Sequence, residues 1–128
     1  MNTAVAIIAI QGSQVLLVRN AKRPGSCEIP GGAVLPGESR VHAAVRELRE
    51  ECGLHIESWD LVPFHTKETA DWHVRIFQAL RWGGRLTPGD DVSDCFFGAP
   101  DLLLEGAHPE DYPIVCRAIH QHKAAFGR

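Results

Sequence analysis

Apolar residues fall along this chain in runs of different period, and the periods lay out the elements. Ala4 to Ile10 is an unbroken apolar run. It is too short for a membrane span and of the right length for a buried β-strand. The strand reads as Thr3 to Ile10, with Gln11-Gly12-Ser13-Gln14 as a hairpin turn and Val15 to Arg19 as the returning strand. Asn20 to Ser26 is a loop. Cys27 to Ile29 is a short strand cut off by Pro30, Gly31 and Gly32, and Ala33 to Leu35 is another, turned by Pro36-Gly37.

A helical period follows. Ser39 is placed to cap a helix and Gly53 to stop it. Ile56 to Lys67 reads as extended and broken near Pro63, and Trp72 to Trp82 as a strand ending at Gly83-Gly84. Arg85 to Asp91 is a loop, Cys95 to Phe97 a short strand, and Pro100 to Leu104 a helical turn. Asp111 opens a last helix, in which Ile114, Val115, Ala118, Ile119 and His122 share one face. Strands that flank one helix and precede another predict an α/β fold with a mixed sheet between helical layers.

A length of 128 residues fits one domain, 1–128, with its own core. The net charge of −3 gives no pull toward nucleic acid or acidic membranes. No signal peptide is evident. The cysteines at 27, 52, 95 and 116 form no C-x-x-C pair and read as reduced thiols, so a cytoplasmic protein is expected.

The helix after Ser39 carries the chemistry. On a wheel at about 100° per residue, Val41, Ala44, Val45, Leu48 and Cys52 form the buried arc. Glu47, Glu50 and Glu51 fall together on a second arc, with Ala43 beside them and Arg46 on the flank. Acids at i, i+3 and i+4 repel by a few tenths of a kcal/mol per pair. A bound divalent cation reverses the sign of that cost, and carboxylates are hard ligands suited to Mg²⁺ or Mn²⁺. From the helix alone, a solvated acidic face stands equally open.

The surrounding residues bear on that choice. Gly32, Glu38, Arg46-Glu47, Leu48, Glu50-Glu51, Gly53 and Leu54 match the Nudix box, G-x5-E-x7-R-E-U-x-E-E-x-G-U with U aliphatic, at every fixed position. At average composition such a match arises with a chance on the order of 10⁻⁷. With VLLVRN before it, IPGG at its head and DWHVRIFQAL after it, the chain resembles a MutT-like Nudix hydrolase.

The resemblance implies a Nudix-type α/β/α sandwich with a mixed β-sheet. It also implies attack of water on a phosphorus of a nucleoside diphosphate linked to another moiety. Glu50 and Glu51 match metal ligands, Glu47 a further ligand or the general base, and the Gly31 carbonyl a backbone ligand. Glu38 and Arg46 match structural positions. A fourth acid is expected from Asp91 or Asp90. Cys27 stands where many members carry an aromatic residue, so no base stacking is inferred there.

Arg19, at the end of its strand, is the expected phosphate-binding cation, while Lys22 and Arg23 read as a solvated loop. Trp72 is a candidate to stack on a base. Trp59 and Trp82 read as packing residues. Asp111 matches a base-reading position of MutT-like enzymes, and also suits a helix cap. The expected reaction is Mg²⁺- or Mn²⁺-dependent cleavage of a nucleoside triphosphate to monophosphate and pyrophosphate. The alternatives are hydrolysis of a dinucleoside polyphosphate or ADP-ribose, or a non-catalytic regulatory domain. A nucleotide is the expected partner, with no nucleic acid or membrane, and a homodimer is compatible with the sequence.

Overall fold

A computed structural model describes residues 1–89 and 91–126. The strands are β1 (Asn2–Gln11), β2 (Gln14–Asn20), β3 (Cys27–Glu28), β4 (Gly31–Ala33), β5 (Leu61–Glu68), β6 (Trp72–Ala79) and β7 (Val92–Gly98). The helices are α1 (Arg40–Cys52) and α2 (Asp111–Phe126), with 3₁₀ turns at Ser58–Asp60 and Pro100–Glu105.

The sheet runs β3-β2-β1-β6-β5, with β4 added to β1 and β7 to β2. β1 and β6 are parallel and the other pairs antiparallel, so the sheet is mixed. β1 changes partner along its length: Ala4 to Ala6 pair with β4, while Ile10 and Gln11 pair with β2.

The unbroken apolar run now has its reason. Val5, Ile7 and Ala9 pack toward α1, and Ala6, Ile8 and Ile10 toward α2. Strand residues alternate between faces, so a strand covered on both sides must be apolar throughout. β2 repeats this, sending Leu16 and Val18 to one core and Val15 and Leu17 to the other. The α/β/α layering is therefore as expected.

Several boundaries differ. Ile56 is followed by a 3₁₀ turn, and the bend expected at Pro63 is a break in register between Pro63 and His65. Proline has no N–H for a ladder, and β5 tolerates it as an edge strand. β6 stops at Ala79, before Trp82. β7 is longer than its apolar centre, because pairing with β2 carries Val92 and Asp94 into the strand. Trp59 is no packing residue: it is 72% exposed on the 3₁₀ turn, whereas Trp82 stacks on Phe97 at 6.0 Å.

Ser39 Oγ accepts the His42 N–H at 3.1 Å, and Gly53 closes α1 at φ +70° with its N–H donated to the Arg49 carbonyl. Ala43 was expected beside the acids but is fully buried. The reason is that α1 packs on β4 as well as β1, so the helix flank carrying the acids lies along a strand.

Ile8 is fully buried, so Ile8→Ala should cost about 2–5 kcal/mol in urea unfolding. Exposed Val62→Ala on β5 should stay within about 0.5 kcal/mol. Equal losses at the two sites would contradict the two-core arrangement.

Candidate active site

The site is built where the edge of β4 meets the acidic flank of α1. Ala6 opposite Gly31 and Ala4 opposite Ala33 are pairs whose hydrogen bonds run through their neighbours, such as Ile7 N–H to the Pro30 carbonyl at 2.9 Å. The N–H and C=O of Gly31 and Ala33 therefore point away from β1, toward the helix. Gly31 N–H donates to Glu51 Oε1 at 2.7 Å, and the Ala33 carbonyl accepts from Arg46 Nη2 at 3.0 Å. The Gly31 carbonyl lies on this same edge, as a backbone ligand would require.

Glycine is needed for the approach. A Cβ on Gly31 would collide with the Val5 carbonyl oxygen, and one on Gly32 would sit 2.5 Å from Glu47 Oε1.

Arg46 organises the acids. It grips Glu38 bidentately, Nε to Oε2 at 2.8 Å and Nη2 to Oε1 at 2.9 Å. Its Nη1 donates to Glu47 at 2.9 Å and to Glu50 at 3.2 Å. Glu38 also accepts the Leu35 N–H at 3.0 Å, which ties the loop before α1 into the network. The Arg46 hydrogen bonds hold the Glu38 carboxyl down at about 2, and Glu38 in turn raises the Arg46 guanidinium.

The three glutamates differ in environment. Glu50 is exposed, Glu47 is half-buried and Glu51 is the most enclosed. Burial raises the Glu47 carboxyl against the pull of Arg46. Burial pushes Glu51 up to about 8, opposed by the Gly31 N–H and reinforced by Glu47, Glu28 and Glu50. A buried carboxylate with one N–H partner and acidic neighbours is a group that a cation would satisfy.

Among the described residues no three acid, imidazole or thiol groups converge as a preformed cluster, since Arg46 holds two acids and Gly31 the third. The donor set, three carboxylates and an edge carbonyl, fits a hard divalent cation in its chemistry. Glu47, Glu50, Glu51 and the Gly31 carbonyl are the groups that would hold it.

Glu51 and Gly31 line a cleft of about 360 Å³ on the α2 side of the sheet. Trp72, Lys67, Glu110 and Asp111 line it as well. The structure thus brings Gly31, Glu51, Trp72 and Asp111 into one cleft.

Arg19 is not among its lining residues. It lies over the Phe96 ring at 5.3 Å and reaches the Pro24 carbonyl at 3.5 Å. Arg23, expected in a solvated loop, lines the cleft instead and pairs with Glu28 at 3.5 Å.

The loop after β6 docks on the end of α1, with Thr87 N–H to the Cys52 carbonyl at 2.8 Å and Gly89 N–H to the Glu51 carbonyl at 3.1 Å. Asp91 follows, exposed and outside the cleft lining, its carbonyl accepting the Ala21 N–H at 3.0 Å. Asp90 lies outside the described residues.

Lys67, Glu28, His108 and Glu110 also line the cleft and were missed in the sequence. They come from β5, β3 and the segment before α2, and no local spacing links them.

Comparison with known proteins gives the family. Residues 1–118 match the NUDIX domain family. The chain belongs to the Nudix hydrolase family. It is 35% identical over 124 residues to the CTP pyrophosphohydrolase of Escherichia coli K12, covering 90% of this chain and 88% of that protein. It is 37% identical over 84 residues to the human 8-oxo-dGDP phosphatase NUDT18, covering 64% of this chain and 26% of that protein. The chain therefore spans about a quarter of the length of the human relative. Among solved structures it is similar to MutT described from Aliivibrio salmonicida and Vibrio cholerae. The TM-score is 0.76 and the identity 26%, over 94% of this chain and 98% of that one. Among the described residues no helix is long and apolar enough to cross a membrane. In this Nudix chain the box spans the loop, helix and stop from Gly32 to Leu54.

Two predictions follow from the electrostatics. The Glu51 carboxyl is raised from 4.5 to about 8, so as pH rises the unfolded chain releases its proton before the folded one. Stability of the metal-free protein is then lost as pH rises between those values. Glu51→Gln should flatten that loss and be the more stable protein near pH 8, read by thermal melts in chelator; parallel curves would refute it. Arg46→Ala should cost about 1–3 kcal/mol, because it leaves three carboxylates unpartnered by their shared cation. Arg46→Lys should not restore the loss, since an ammonium cannot reproduce the fork, and full recovery of Tm in Arg46→Lys would count against that geometry.

Proposed function

We propose that this Nudix protein is a Mg²⁺- or Mn²⁺-dependent pyrophosphohydrolase that cleaves a nucleoside triphosphate to the monophosphate and pyrophosphate. The observation that carries this reading is the cleft itself. The enclosed Glu51 carboxylate lines it beside β4, on one edge of β1, while Trp72 lines it from β6, on the other edge, together with the buried Asp111. A substrate with phosphates on one side and a base on the other fits that division. A relative similar along most of this chain is named a CTP pyrophosphohydrolase, which supports the choice of a triphosphate.

In the reaction, the water oxygen forms a bond to one phosphorus, the bond from that phosphorus to the leaving pyrophosphate oxygen breaks, and a proton from the water passes to a base. A divalent cation held by these carboxylates would supply positive charge to the phosphate oxygens and acidify the water. Glu47, Glu50 and Glu51 supply the carboxylates. Arg46 keeps Glu47 and Glu50 oriented, and Gly31 N–H orients Glu51. Glu47, half-buried against Gly32, is the residue suited to take the proton. Trp72 at the rim offers a face to the base, and Asp111 an acceptor to its edge. Asp91, on the loop that docks on α1, is assigned the fourth acid. Arg19, placed over Phe96, serves the phosphates only by leaving that ring.

The test is turnover of a panel of nucleoside triphosphates, dinucleoside polyphosphates and ADP-ribose, with and without chelator. Nucleoside triphosphates should release pyrophosphate only with metal. Glu50→Gln and Glu51→Gln should each lower kcat by about two orders of magnitude or more while the fold persists. Metal at about 100 times its Kd should add about 2.7 kcal/mol of stability to wild type and less to either variant. Full turnover in excess chelator, or near wild-type rates in both variants, would sink the assignment.

A further inference from the structure

The part of the cleft lining contributed by β5 and the start of α2 holds an ion pair that hydrolysis does not use. Lys67, on β5, places its Nζ 2.6 Å from Asp111 Oδ1 and 3.0 Å from Glu110 Oε2. The Asp111 side chain is 3% exposed and that of Lys67 16%. This is no solvated surface pair. Nor does stability account for it, since a desolvated ion pair gains about as little as an apolar replacement would.

The two groups are not fully used by each other. Asp111 lines the cleft, and its second carboxylate oxygen has no hydrogen-bond partner among the described residues. Lys67 gives two of its three N–H donors to Glu110 and Asp111, which leaves one. A spare donor and a spare acceptor therefore stand side by side in a cleft whose walls include Ala4, Ala6, Ile29 and Val74. Apolar walls with a few convergent polar groups are the make-up of a small-molecule site. A flat ring with a hydrogen-bonding edge is the ligand that matches both parts.

We propose that Lys67 is a specificity-determining residue, which with Asp111 reads an acceptor and a donor at adjacent positions on the edge of the substrate's base. This rests on the nucleotide reading above and deepens it. Asp111 alone would favour any base that presents N–H groups. Lys67 adds the demand for a neighbouring carbonyl or bare ring nitrogen. It also holds Asp111 in the orientation that accepts.

The experiment compares wild type, Lys67→Met and Lys67→Arg on nucleoside triphosphates of the four common bases and on an abasic ribose triphosphate. In Lys67→Met, kcat/KM for the best nucleotide relative to the abasic compound should fall about tenfold or more, and the spread among bases should narrow. Lys67→Arg keeps the charge and should fold, but its planar fork carries donors at other positions, so the ranking of bases should change. Calorimetric binding of the four nucleoside monophosphates is measured on the same proteins without hydrolysis. If no triphosphate is turned over, the hydrolase reading fails, while altered base ranking in binding still supports Lys67. The inference is overturned if both variants keep the wild-type ranking, or if Lys67→Met loses as much on the abasic compound as on the best nucleotide.

Discussion

The guanidinium of Arg46 is the contact on which the rest of the site depends. Its donors reach Glu38, Glu47, Glu50 and the Ala33 carbonyl, and so join the loop before α1, the helix and the edge of β4. Four acids within one box would drive the segment apart if left to one another. A planar cation with donors on three nitrogens can face several of them at once, which a lysine cannot. The acids are thereby held apart in distinct roles. Glu38 is spent on structure, Glu47 and Glu50 are oriented, and Glu51 is left to the Gly31 N–H in a buried place.

The cleft follows from how β1 shares its edges. Its early residues pair with β4 on one side and β6 on the other, while β2 takes over only at its end. β4 thus lies beside β1 with its outer edge turned to the helix. On the opposite face, α2 covers Ile8 and Ile10 within the core. Near the first residue of α2 the strand carries Ala4 and Ala6, whose small side chains leave a slot. One strand therefore supplies core packing at one end and a cleft wall at the other. The slot is closed by Lys67 and Asp111, which arrive from the edge strand and from the helix start.

Much of this was legible from local pattern. Continuous apolar runs marked β1 and β2, the helix stop was written in Gly53, and the spacing of Gly32, Glu38, Arg46, Glu47, Glu50 and Glu51 marked the family. These are statements about neighbours in sequence, and backbone periodicity alone converts them into geometry. The errors came where a second element intruded. Ala43 read as a flank residue because a wheel does not show β4 lying against it. β7 read as three residues because its polar positions become strand only through pairing with β2.

What the sequence determined by itself was the set of acids, the helix that carries them and the two-sided core, since each depends on spacings within one segment. The tertiary structure alone decided which acid is buried, which cation organises the others, and which residues share the cleft. Glu51 is raised and Glu50 is exposed although they are adjacent, because burial depends on the direction of β4 and not on the helix. Lys67 and Asp111 are separated by most of the second half of the chain, and Arg19 and Arg23 by a few residues. Yet the first pair meets at hydrogen-bond distance while of the second only Arg23 lines the cleft. Proximity of that kind is set by strand order and helix placement, and it leaves no trace in the spacing of residues along the chain.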